Sequence, residues 1–349
     1  RGISMRNYLK GLYIEIISKC NEKCIYCYNE KNMTDCVMLP YGKTADIISN
    51  AVKMGVENIA ISGGEPFLHP EIKEIISIIN ENGLTPTIIT NLTLLDVEMS
   101  EFLSGKKVNL QLTLDSGIEE IHDLSRGKGT FGKQVKAIGL LKKHRFRHDI
   151  LLRCNIWEKN CSYENILSIL DFAREYGIST VNFALAHRTD SFCLTSESER
   201  EKEDIINWVE AAKKIHPKLD IDFPEGKVSW ACPFLVDEEH LDCGLRITAA
   251  GNVYPCQMFD SEEFCIGNIY SNNLEEMIEG DPFRRFLELM RLRKFFIQKC
   301  RECVCQVICY GGCPAKALLD NKNILTVEGT CEKRMYYYKE MLKNAVPLK

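Results

Sequence analysis

Residues 12–27 read LYIEIISKCNEKCIYC, and this stretch decides the architecture that the sequence predicts. Residues 12–18 are mostly apolar and rich in isoleucine, which is typical of a buried strand. Cys20, Cys24 and Cys27 follow in C-x3-C-x2-C spacing. Three thiolates on one tight loop can hold three irons of a 4Fe–4S cluster and leave the fourth iron open for chemistry. Because the loop follows the strand directly, the sequence predicts an active site at the carboxyl edge of a sheet.

Three other interpretations of these cysteines remain open at this point. Buried free thiols are common in a chain with 17 cysteines. A zinc site is a second interpretation, although structural zinc takes four ligands, often from paired C-x2-C units. A disulfide framework fits poorly, because the chain is long and has no secretory leader. Tyr26, directly before the last cysteine of the triad, favours the cluster.

The second motif is SGGEP at residues 62–66, after the strand-like run ENIAI at residues 57–61. Gly63 and Gly64 have no Cβ and so allow the backbone to approach a ligand closely. Glu65 can offer a carboxylate to a ligand ammonium group. A simpler interpretation is a turn that ends the strand, because glycine and proline favour turns. The order of the two motifs, at the ends of successive strands, favours the ligand site.

With CNEKCIYC and SGGEP in this order, the chain resembles the radical S-adenosylmethionine (AdoMet) superfamily. The resemblance implies that the open iron binds the amino and carboxylate groups of AdoMet. It also implies that one electron from the cluster cleaves the sulfonium C–S bond, and that the resulting 5′-deoxyadenosyl radical abstracts a substrate hydrogen. Gly63, Gly64 and Glu65 would then lie against the methionine part of AdoMet.

Strand-like and helical runs alternate from about residue 11 to residue 215. Six strand–helix units in series predict an α/β fold with a parallel sheet and helices outside it. Right-handed crossovers curl such a sheet towards a barrel, and six units resemble the partial (β/α)6 TIM-like barrel of the radical AdoMet superfamily. The predicted strands span residues 12–18, 57–62, 85–90, 109–115, 149–156 and 180–184, and the predicted helices span residues 44–54, 71–82, 97–103, 131–143, 163–176 and 199–215.

Polar residues stand at or after the carboxyl ends of several predicted strands. The resemblance implies that such residues contact the ribose and the methionine carboxylate of AdoMet, and it favours Thr113, Asn155 and Arg126. Arg126 is expected in a loop, within HDLSRGKGTF. Any of these residues could instead cap a helix or form a turn, because Asn and Asp favour those positions. The other candidates of this kind are Thr90, Asn91, Asp115 and Arg153.

Cysteines crowd into the C-terminal third, after the strand–helix pattern stops near residue 217. The stretch CGLRITAAGNVYPC runs from Cys243 to Cys256, and residues 247–254 within it predict a hairpin that turns at Gly251-Asn252. Seven thiols at these intervals are more than a zinc ribbon uses. Core thiols would not cluster in a polar, glycine-bearing stretch. The other cysteines of this pattern are Cys300, Cys303, Cys309, Cys313 and Cys331.

This spacing resembles the SPASM domain, which carries auxiliary iron–sulfur clusters in a subset of radical AdoMet enzymes. The resemblance implies three 4Fe–4S clusters and AdoMet as the cofactors. Auxiliary cluster I would take Cys243, Cys256 and Cys313. The gap between Cys243 and Gly251 is shorter than in the family, so either Cys232 is the fourth ligand or that cluster has an open iron. Auxiliary cluster II would take Cys300, Cys303, Cys309 and Cys331.

The predicted domain order is a barrel followed by a small Cys-rich domain with a β-hairpin and short helices. Residues 8–216 form the radical AdoMet barrel, residues 217–231 a linker, and residues 232–345 the SPASM domain. Residues 1–7 are assigned to an N-terminal extension, of which residues 1–4 are interpreted as the remnant of a tag. Cysteines outside the predicted ligand sets are expected to be small apolar core residues, namely Cys36, Cys154, Cys161, Cys193, Cys265 and Cys305.

SPASM enzymes mostly modify peptides, so the resemblance favours a maturase that oxidises or crosslinks a ribosomally made peptide. The alternative is a dehydrogenase of a small molecule such as an aminocyclitol, because it too needs an electron acceptor. A sulfatase maturase is less favoured, since Gln257 stands where that subgroup carries an aspartate. A non-catalytic iron–sulfur carrier or zinc scaffold is a third class, which GGEP and the open triad disfavour. Asp260 and Cys193 are the candidate catalytic residues, although nothing in the spacing selects them.

The composition is that of an ordinary globular protein, with 45% hydrophobic and 27% charged residues. The net charge of −5 gives no broad basic surface for nucleic acid, and the basic run at residues 291–294 is interpreted as a solvated helix face. No apolar run is long enough to span a membrane, and many free cysteines without a signal peptide favour the cytoplasm. Expected partners are the substrate, an electron donor such as a flavodoxin or ferredoxin, and a separate leader-binding protein, because little room precedes the first strand.

Overall fold

The structure is a computed structural model that describes residues 9–29, 35–186, 198–223, 232–235, 243–332, 334–336 and 338–339. Cys193, a candidate catalytic residue, lies outside these stretches, as do residues 1–8 and residues 224–231 of the predicted linker. Of Cys243 the structure describes the backbone but not the side chain.

Strands and helices alternate up to residue 223, and a hairpin and further helices follow. No helix in the described stretches is both long and apolar enough to cross a membrane. The strands are β1 (Leu9–Ile17), β2 (Asn58–Gly63), β3 (Thr87–Thr90), β4 (Asn109–Thr113), β5 (Ile150–Ile156), β6 (Thr180–Leu185), β7 (Asp220–Asp222), β8 (Cys243–Ile247), β9 (Asn252–Tyr254) and β10 (Gly267–Asn268). The helices are α1 (Tyr41–Lys53), α2 (Ile72–Glu81), α3 (Val97–Ser104), α4 (Glu119–Arg126), α5 (Thr130–Lys143), α6 (Tyr163–Tyr176), α7 (Ser198–Ile215), α8 (Leu274–Glu279), α9 (Asp281–Phe296), α10 (Gln298–Arg301), α11 (Gln306–Cys309) and α12 (Pro314–Asn321).

The strands form one 10-stranded sheet, in the order β10-β9-β8-β1-β2-β3-β4-β5-β6-β7. Strands β1 to β7 are parallel to their neighbours, and helices connect them. Within the described residues the sheet has two ends, β7 and β10, and does not close on itself. The predicted α/β fold with a partial barrel is therefore confirmed.

The predicted strand–helix units are all present, with boundaries that differ from the prediction by a few residues. Two elements of the barrel, α4 and β7, have no counterpart in the sequence prediction. The expectation that Arg126 lies in a loop is wrong, because it is the last residue of α4. Gly127 follows with φ 112°, a conformation that favours glycine and ends the helix. Helix α4 is short and largely polar, so an apolar periodicity could not reveal it.

Helix α2 illustrates how the helices cover the sheet. Its buried side chains recur at helical spacing and form one apolar stripe, as expected for a helix packed on one side. They belong to the same buried core as Ile14 of β1. The residues of the stripe are Ile72, Ile75, Ile76 and Ile79.

Strands β8 and β9 form the predicted hairpin. They are antiparallel, with Ile247 opposite Val253, and Gly251 in the turn has φ 84°. The backbone N–H of Gly251 donates to the carbonyl of Thr248 at 2.8 Å. Strand β8 also pairs in parallel with β1. The hairpin of the Cys-rich region therefore extends the barrel sheet beyond β1, which the sequence did not predict.

A buried ion pair holds this hairpin against the barrel. Arg246 of β8 donates from Nε to Oε1 of Glu15 at 3.0 Å, and from Nη2 to Oε2 at 3.1 Å. Both residues are 2% exposed. The third guanidinium nitrogen, Nη1, donates to the carbonyl of Phe259 at 3.1 Å. The pair thus fixes how the hairpin lies beside β1.

Candidate functional site

The three cysteines of the first motif lie on the loop that follows β1, and each is partly exposed. Burial raises the pKa of Cys20 to about 11, with smaller contributions from the charges of Glu65, Glu22 and Cys27. Burial likewise raises the pKa of Cys24 to about 12, with further contributions from Cys27 and Cys20. The loop also turns tightly here, because the N–H of Cys27 donates to the carbonyl of Cys24 at 3.2 Å. A metal ion bound here would take the thiolate forms and release protons.

The glycines of SGGEP lie against the backbone that leads into this loop. The N–H of Gly64 donates to the carbonyl of Ile17 at 2.7 Å. A Cβ on Gly64 would lie 2.1 Å from the carbonyl oxygen of Lys19, and one on Gly63 would lie 2.2 Å from that of Ile17. The close approach that requires glycine here is therefore to residues 17–19 of the chain. A contact of these glycines with AdoMet stays a prediction.

Glu65 connects the ends of two strands. Its buried carboxylate accepts from Thr90 Oγ1 at 2.6 Å, from the Asn91 N–H at 2.8 Å and from the Phe67 N–H at 3.1 Å. Its own N–H donates to the carbonyl of Lys19 at 2.9 Å. Burial raises the pKa of Glu65 to about 7, and the three donors oppose that rise. Glu65 thus already has protein partners, and its contact with a ligand ammonium stays a prediction.

Asp115 joins the cysteine loop to the neighbouring strands. Its fully buried Oδ2 accepts from the hydroxyl of Tyr26 and, at 2.6 Å, from that of Ser125. Its Oδ1 accepts from the N–H of Asn155 at 3.1 Å. Three protein donors therefore surround the carboxylate, so Asp115 positions Tyr26 of the motif.

Arg126, at the end of α4, reaches the same loop. Its Nη2 lies 3.0 Å from Oε2 of Glu22, and both side chains are nearly buried. Glu22 stands between Cys20 and Cys24, and the Cys24 thiol lies 3.6 Å from Oε2 of Glu22. Arg126 Nε and Glu22 Oε1 are buried without a hydrogen-bond partner in the described structure. An unpaired donor and acceptor beside the cysteines fit a charged ligand such as AdoMet.

A polar row crosses the sheet from β4 to β7. Thr113, Arg153, Asn182 and Asp222 stand opposite one another in register and are half-buried. Arg153 Nη1 donates to Asn182 Oδ1 at 2.9 Å, and Asn182 Nδ2 lies 3.5 Å from Asp222 Oδ2. Asn155 is two residues after Arg153 on β5 and so points to the same face. Asp222 was missed from sequence, since β7 has only three residues, and Asn182 was missed although it lies within the predicted sixth strand.

One cavity of the C-terminal region contains all four cysteines predicted for auxiliary cluster II. Cys305, which was expected to be a core thiol, is buried and also lines this cavity. Glu328 and Arg334 line it as well, with Arg334 Nε 2.6 Å from Glu328 Oε1. The predicted ligands in this cavity are Cys300, Cys303, Cys309 and Cys331.

The cysteines predicted for auxiliary cluster I also lie near one another. Burial raises the pKa of Cys256 to about 11, with a smaller contribution from the charge of Cys313. Burial raises the pKa of Cys232 as well, and Cys313 and Cys256 add to this rise. A role of Cys232 as the fourth ligand stays a prediction. Cys243 is the first residue of β8, and the structure describes its backbone but not its side chain.

The thiols of the C-terminal cavity fit an iron–sulfur cluster by their number and chemistry. The four predicted cysteine ligands line it, and a 4Fe–4S cluster takes four thiolates, each on a different iron.

Asp260, a candidate catalytic residue, is exposed, as is Gln257. Its role therefore stays a prediction. Arg293 corrects another expectation, because it lies in the basic run assigned to a solvated face and is 0% exposed. It continues the buried stripe of α9 at helical spacing after Phe286 and Met290. A charged residue within an apolar stripe was the signal that could have identified it.

The comparisons with known proteins agree with this arrangement. The radical SAM superfamily matches residues 14–156, and the SPASM iron–sulfur cluster-binding domain matches residues 239–304. The first range contains the cysteine triad and SGGEP. The second contains the hairpin and ends before Cys309, Cys313 and Cys331, and the cluster roles of all the predicted cysteine ligands stay predictions.

Similar proteins span most of the chain. The antilisterial bacteriocin subtilosin biosynthesis protein AlbA of Bacillus subtilis is 27% identical over 325 residues, 88% of this chain and 68% of AlbA. A cysteine-type anaerobic sulfatase-maturating enzyme of Clostridium perfringens is 26% identical over 365 residues, 95% of this chain and 94% of that enzyme. The structure of Streptococcus suis SuiB bound to S-adenosylmethionine has a TM-score of 0.74 at 19% identity and covers 93% of this chain and 77% of SuiB. This last likeness shows a shared fold.

The partial barrel, the triad at the end of β1 and the family match define the chain as a member of the radical SAM superfamily. More particularly, it is a radical SAM enzyme with a C-terminal SPASM domain. Its cofactors are therefore iron–sulfur clusters and AdoMet. The family resemblance in the sequence is confirmed.

Proposed function

We propose that this enzyme modifies a ribosomally made peptide and holds three 4Fe–4S clusters to do so. The observation that carries the proposal is the pairing of β8 with β1. It places the Cys-rich region on the same sheet whose carboxyl edge leads to Cys20, Cys24 and Cys27. Relatives named for bacteriocin biosynthesis and for sulfatase maturation support a polypeptide substrate.

In this proposal each of the three groups of cysteines holds one cluster. In this proposal residues 8–216 bind AdoMet and residues 232–345 hold the auxiliary clusters. When bound, AdoMet and the clusters supply the radical that removes a substrate hydrogen and the acceptors for the electron that remains. The proposed ligands are Cys20, Cys24 and Cys27 for the AdoMet cluster, Cys232, Cys243, Cys256 and Cys313 for auxiliary cluster I, and Cys300, Cys303, Cys309 and Cys331 for auxiliary cluster II.

The proposed AdoMet site lies between the cysteine loop and the polar face of the sheet. Arg126 offers a buried Nε donor that suits a carboxylate. Glu22 keeps the guanidinium beside Cys24 through its 3.0 Å ion pair. Tyr26, held by Asp115, fixes the loop that carries the last two cysteines. The proposed AdoMet contacts are Gly63, Gly64, Glu65, Thr113, Asn155 and Arg126.

The polar row on the sheet supports a second candidate function. Arg153, Asn182 and Asp222 offer donors and acceptors on the face that also carries Thr113. Such a surface would also bind a polyhydroxylated small molecule, as a dehydrogenase of an aminocyclitol requires. The peptide is favoured because the names of both relatives describe work on a polypeptide.

The proposal extends to the partners of the enzyme. Reductive cleavage of AdoMet needs a one-electron donor, for which a flavodoxin or a ferredoxin is proposed. A separate protein would deliver the leader part of the peptide, and the reaction would take place in the cytoplasm. Asp260 is retained as a proposed catalytic residue that would take a substrate proton.

The test uses anaerobically reconstituted, dithionite-reduced enzyme, AdoMet, and synthetic peptides with perdeuterated Cys or Ser. The expected result is 5′-deoxyadenosine that carries deuterium from the peptide. Deuterium transfer from a perdeuterated aminocyclitol instead would overturn the peptide assignment. Without any 5′-deoxyadenosine, the proposed activity as a whole is wrong.

A matched pair of cysteine variants controls this experiment. C24A removes a proposed ligand of the AdoMet cluster and should abolish 5′-deoxyadenosine formation. C36A changes an exposed cysteine outside the proposed sets and should leave it unchanged. Equal activity of both variants would contradict the role assigned to the triad.

A further inference from the structure

Arg293 of α9 is a buried cation with unusual partners. It and Arg246 are among the largest fully buried side chains of the described chain. Arg246 is paired with Glu15, whereas the hydrogen bonds recorded for Arg293 all go to backbone carbonyls. The acceptors are Ile324 at 2.6 Å from Nε, Gly311 and Gly312 at 2.9 and 3.0 Å from Nη1, and Thr326 at 2.5 Å from Nη2.

The guanidinium lies between the two auxiliary cysteine groups. Its Nη1 and the Sγ of Cys300 are both adjacent to the position that a Gly311 Cβ would take, at 2.9 and 3.6 Å. Cys300 belongs to the proposed ligands of auxiliary cluster II. The same Nη1 binds the carbonyl of Gly312, and the next residue is Cys313 of auxiliary cluster I. Arg293 therefore contacts the surroundings of both groups.

The electrostatics agree with this position. Burial lowers the pKa of Arg293, while the negative charges of Cys313 and Cys300 act in the opposite direction. Glu328 is a more weakly acting carboxylate and is itself paired with Arg334. A buried cation without its own counter-ion is costly. The negative charge of thiolate-ligated clusters on both sides would offset that cost.

The segment that links the two groups shows a second effect of Arg293. Tyr310, Gly311 and Gly312 have φ values of 53°, 86° and 71°, so three successive residues are left-handed. The carbonyls of the two glycines accept from Nη1 of Arg293. The N–H of Gly312, in the same peptide plane as the Gly311 carbonyl, donates to the carbonyl of Cys309 at 3.1 Å. The arginine thus fixes the turn that leads from Cys309 to Cys313, which are proposed ligands of different auxiliary clusters.

We propose that Arg293 is a positioning residue shared by the two auxiliary clusters, and that it raises the reduction potential of both. The inference rests on the proposed clusters. A nearby positive charge stabilises the more negative, reduced state of a cluster. The buried charge of Arg293 therefore favours acceptance of an electron at these sites.

The test is a redox titration of the anaerobically reconstituted full chain, followed by EPR, in R293Q, R293K and R301Q. In R293Q we expect the reduction potential of each auxiliary cluster to fall by at least about 59 mV, which is a tenfold change in a one-electron reduction equilibrium. R293K keeps the charge but lacks the planar guanidinium group, so its auxiliary potentials should fall less than those of R293Q. R301Q removes an exposed charge next to Cys300 and should match the wild type, because solvent screens it.

The AdoMet cluster provides an internal reference, recognised by the response of its EPR signal to added AdoMet. Wild-type auxiliary potentials in R293Q would overturn the inference. If R293Q does not retain auxiliary iron, the potentials of R293K are used instead. Auxiliary potentials in R293K that fall further than those in R301Q support the inference, and wild-type potentials in R293K overturn it. Loss of auxiliary iron from both variants would also overturn it, in favour of a purely structural role. Absence of auxiliary signals from the wild type would instead count against the proposed clusters.

Discussion

Arg246 and Glu15 are 231 positions apart in sequence and form a two-pronged ion pair at 3.0 and 3.1 Å, in which each residue is 2% exposed. Arg246 starts from the hairpin of the SPASM region, and Glu15 lies on the strand that leads into the AdoMet cysteine loop. The ring of Tyr28, just after that loop, lies 5.6 Å from the guanidinium. One buried pair therefore connects the radical site with the auxiliary region.

Removing one partner of this pair should destabilise the protein strongly. R246M leaves the Glu15 carboxylate buried and unpaired, which costs about 3–5 kcal/mol of the free energy of unfolding. The measurement is urea denaturation followed by circular dichroism. The double variant R246M/E15M removes both charges and should recover most of the loss.

The exposed pair between Lys10 and Glu57 is the matched control for this experiment. It joins the same strand, β1, to the start of β2, at 2.8 Å and in contact with solvent. E57Q should change the free energy of unfolding by about 1 kcal/mol or less. Equal losses in R246M and E57Q would show that the junction does not depend on the buried pair.

Gly64 should tolerate no side chain. In G64A the new Cβ would meet the carbonyl oxygen of Lys19 at 2.1 Å, so the strand end and the cysteine loop must separate. We expect a loss of about 1–3 kcal/mol in the free energy of unfolding and less iron bound at the AdoMet cluster. G42A is the control, because nothing lies within 4 Å of its Cβ and alanine favours the helix it begins. A normal iron content in G64A would contradict the close-approach argument.

The sequence predicted the parts of the fold that depend on local patterns. Helix α6 begins and ends where its periodicity placed it, and the hairpin turns at Gly251 as predicted. The three residues of β7 are too few to show a period, and the polar α4 has no apolar stripe. Pairing of β8 with β1 depends on contacts between distant segments, which no local pattern encodes.

The candidate site shows the same division. The resemblance of the cysteine pattern to the SPASM domain implied that Cys300, Cys303, Cys309 and Cys331 belong together, and these four thiols line one cavity. The charged residues that surround the cysteines follow no spacing of this kind. Glu22 stands between two cysteines of the motif and is not part of its spacing, and Arg293 is fixed by carbonyls of four residues that come later in the chain. Only the folded chain brings these groups together.

Glu65 should make stability depend on pH. Burial raises its pKa to about 7 from 4.5, so the folded protein binds a proton that the unfolded chain has released between these values. The contribution of Glu65 to the free energy of unfolding is fully present below a pH of about 4.5 and is lost as the pH rises through about 7. The wild type should lose about 3 kcal/mol relative to E65Q over this window. Urea denaturation of the iron-free protein at pH values of about 5 and about 8 measures it, and parallel pH profiles of the two proteins would contradict it.

The pair of Arg126 and Glu22 allows structure and ligand binding to be separated. R126M leaves the buried Glu22 carboxylate without its cation, so the free energy of unfolding should fall by about 3–5 kcal/mol. R126M/E22M removes both charges and should recover stability, because no charge is then left unpaired. Neither variant has the buried Nε donor beside Cys24 that we assign to the AdoMet carboxylate.

AdoMet affinity should therefore not recover with stability in the double variant. Equilibrium dialysis of the reconstituted proteins should show at least a tenfold weaker dissociation constant for both, about 1.4 kcal/mol. R126K is the informative third variant, since it keeps a charge for Glu22 but has a single nitrogen to share between two partners. It should bind AdoMet more weakly than the wild type while unfolding almost normally. If R126M/E22M bound AdoMet as tightly as the wild type, Arg126 would serve only to neutralise Glu22, and the carboxylate of AdoMet would have to be bound by other residues.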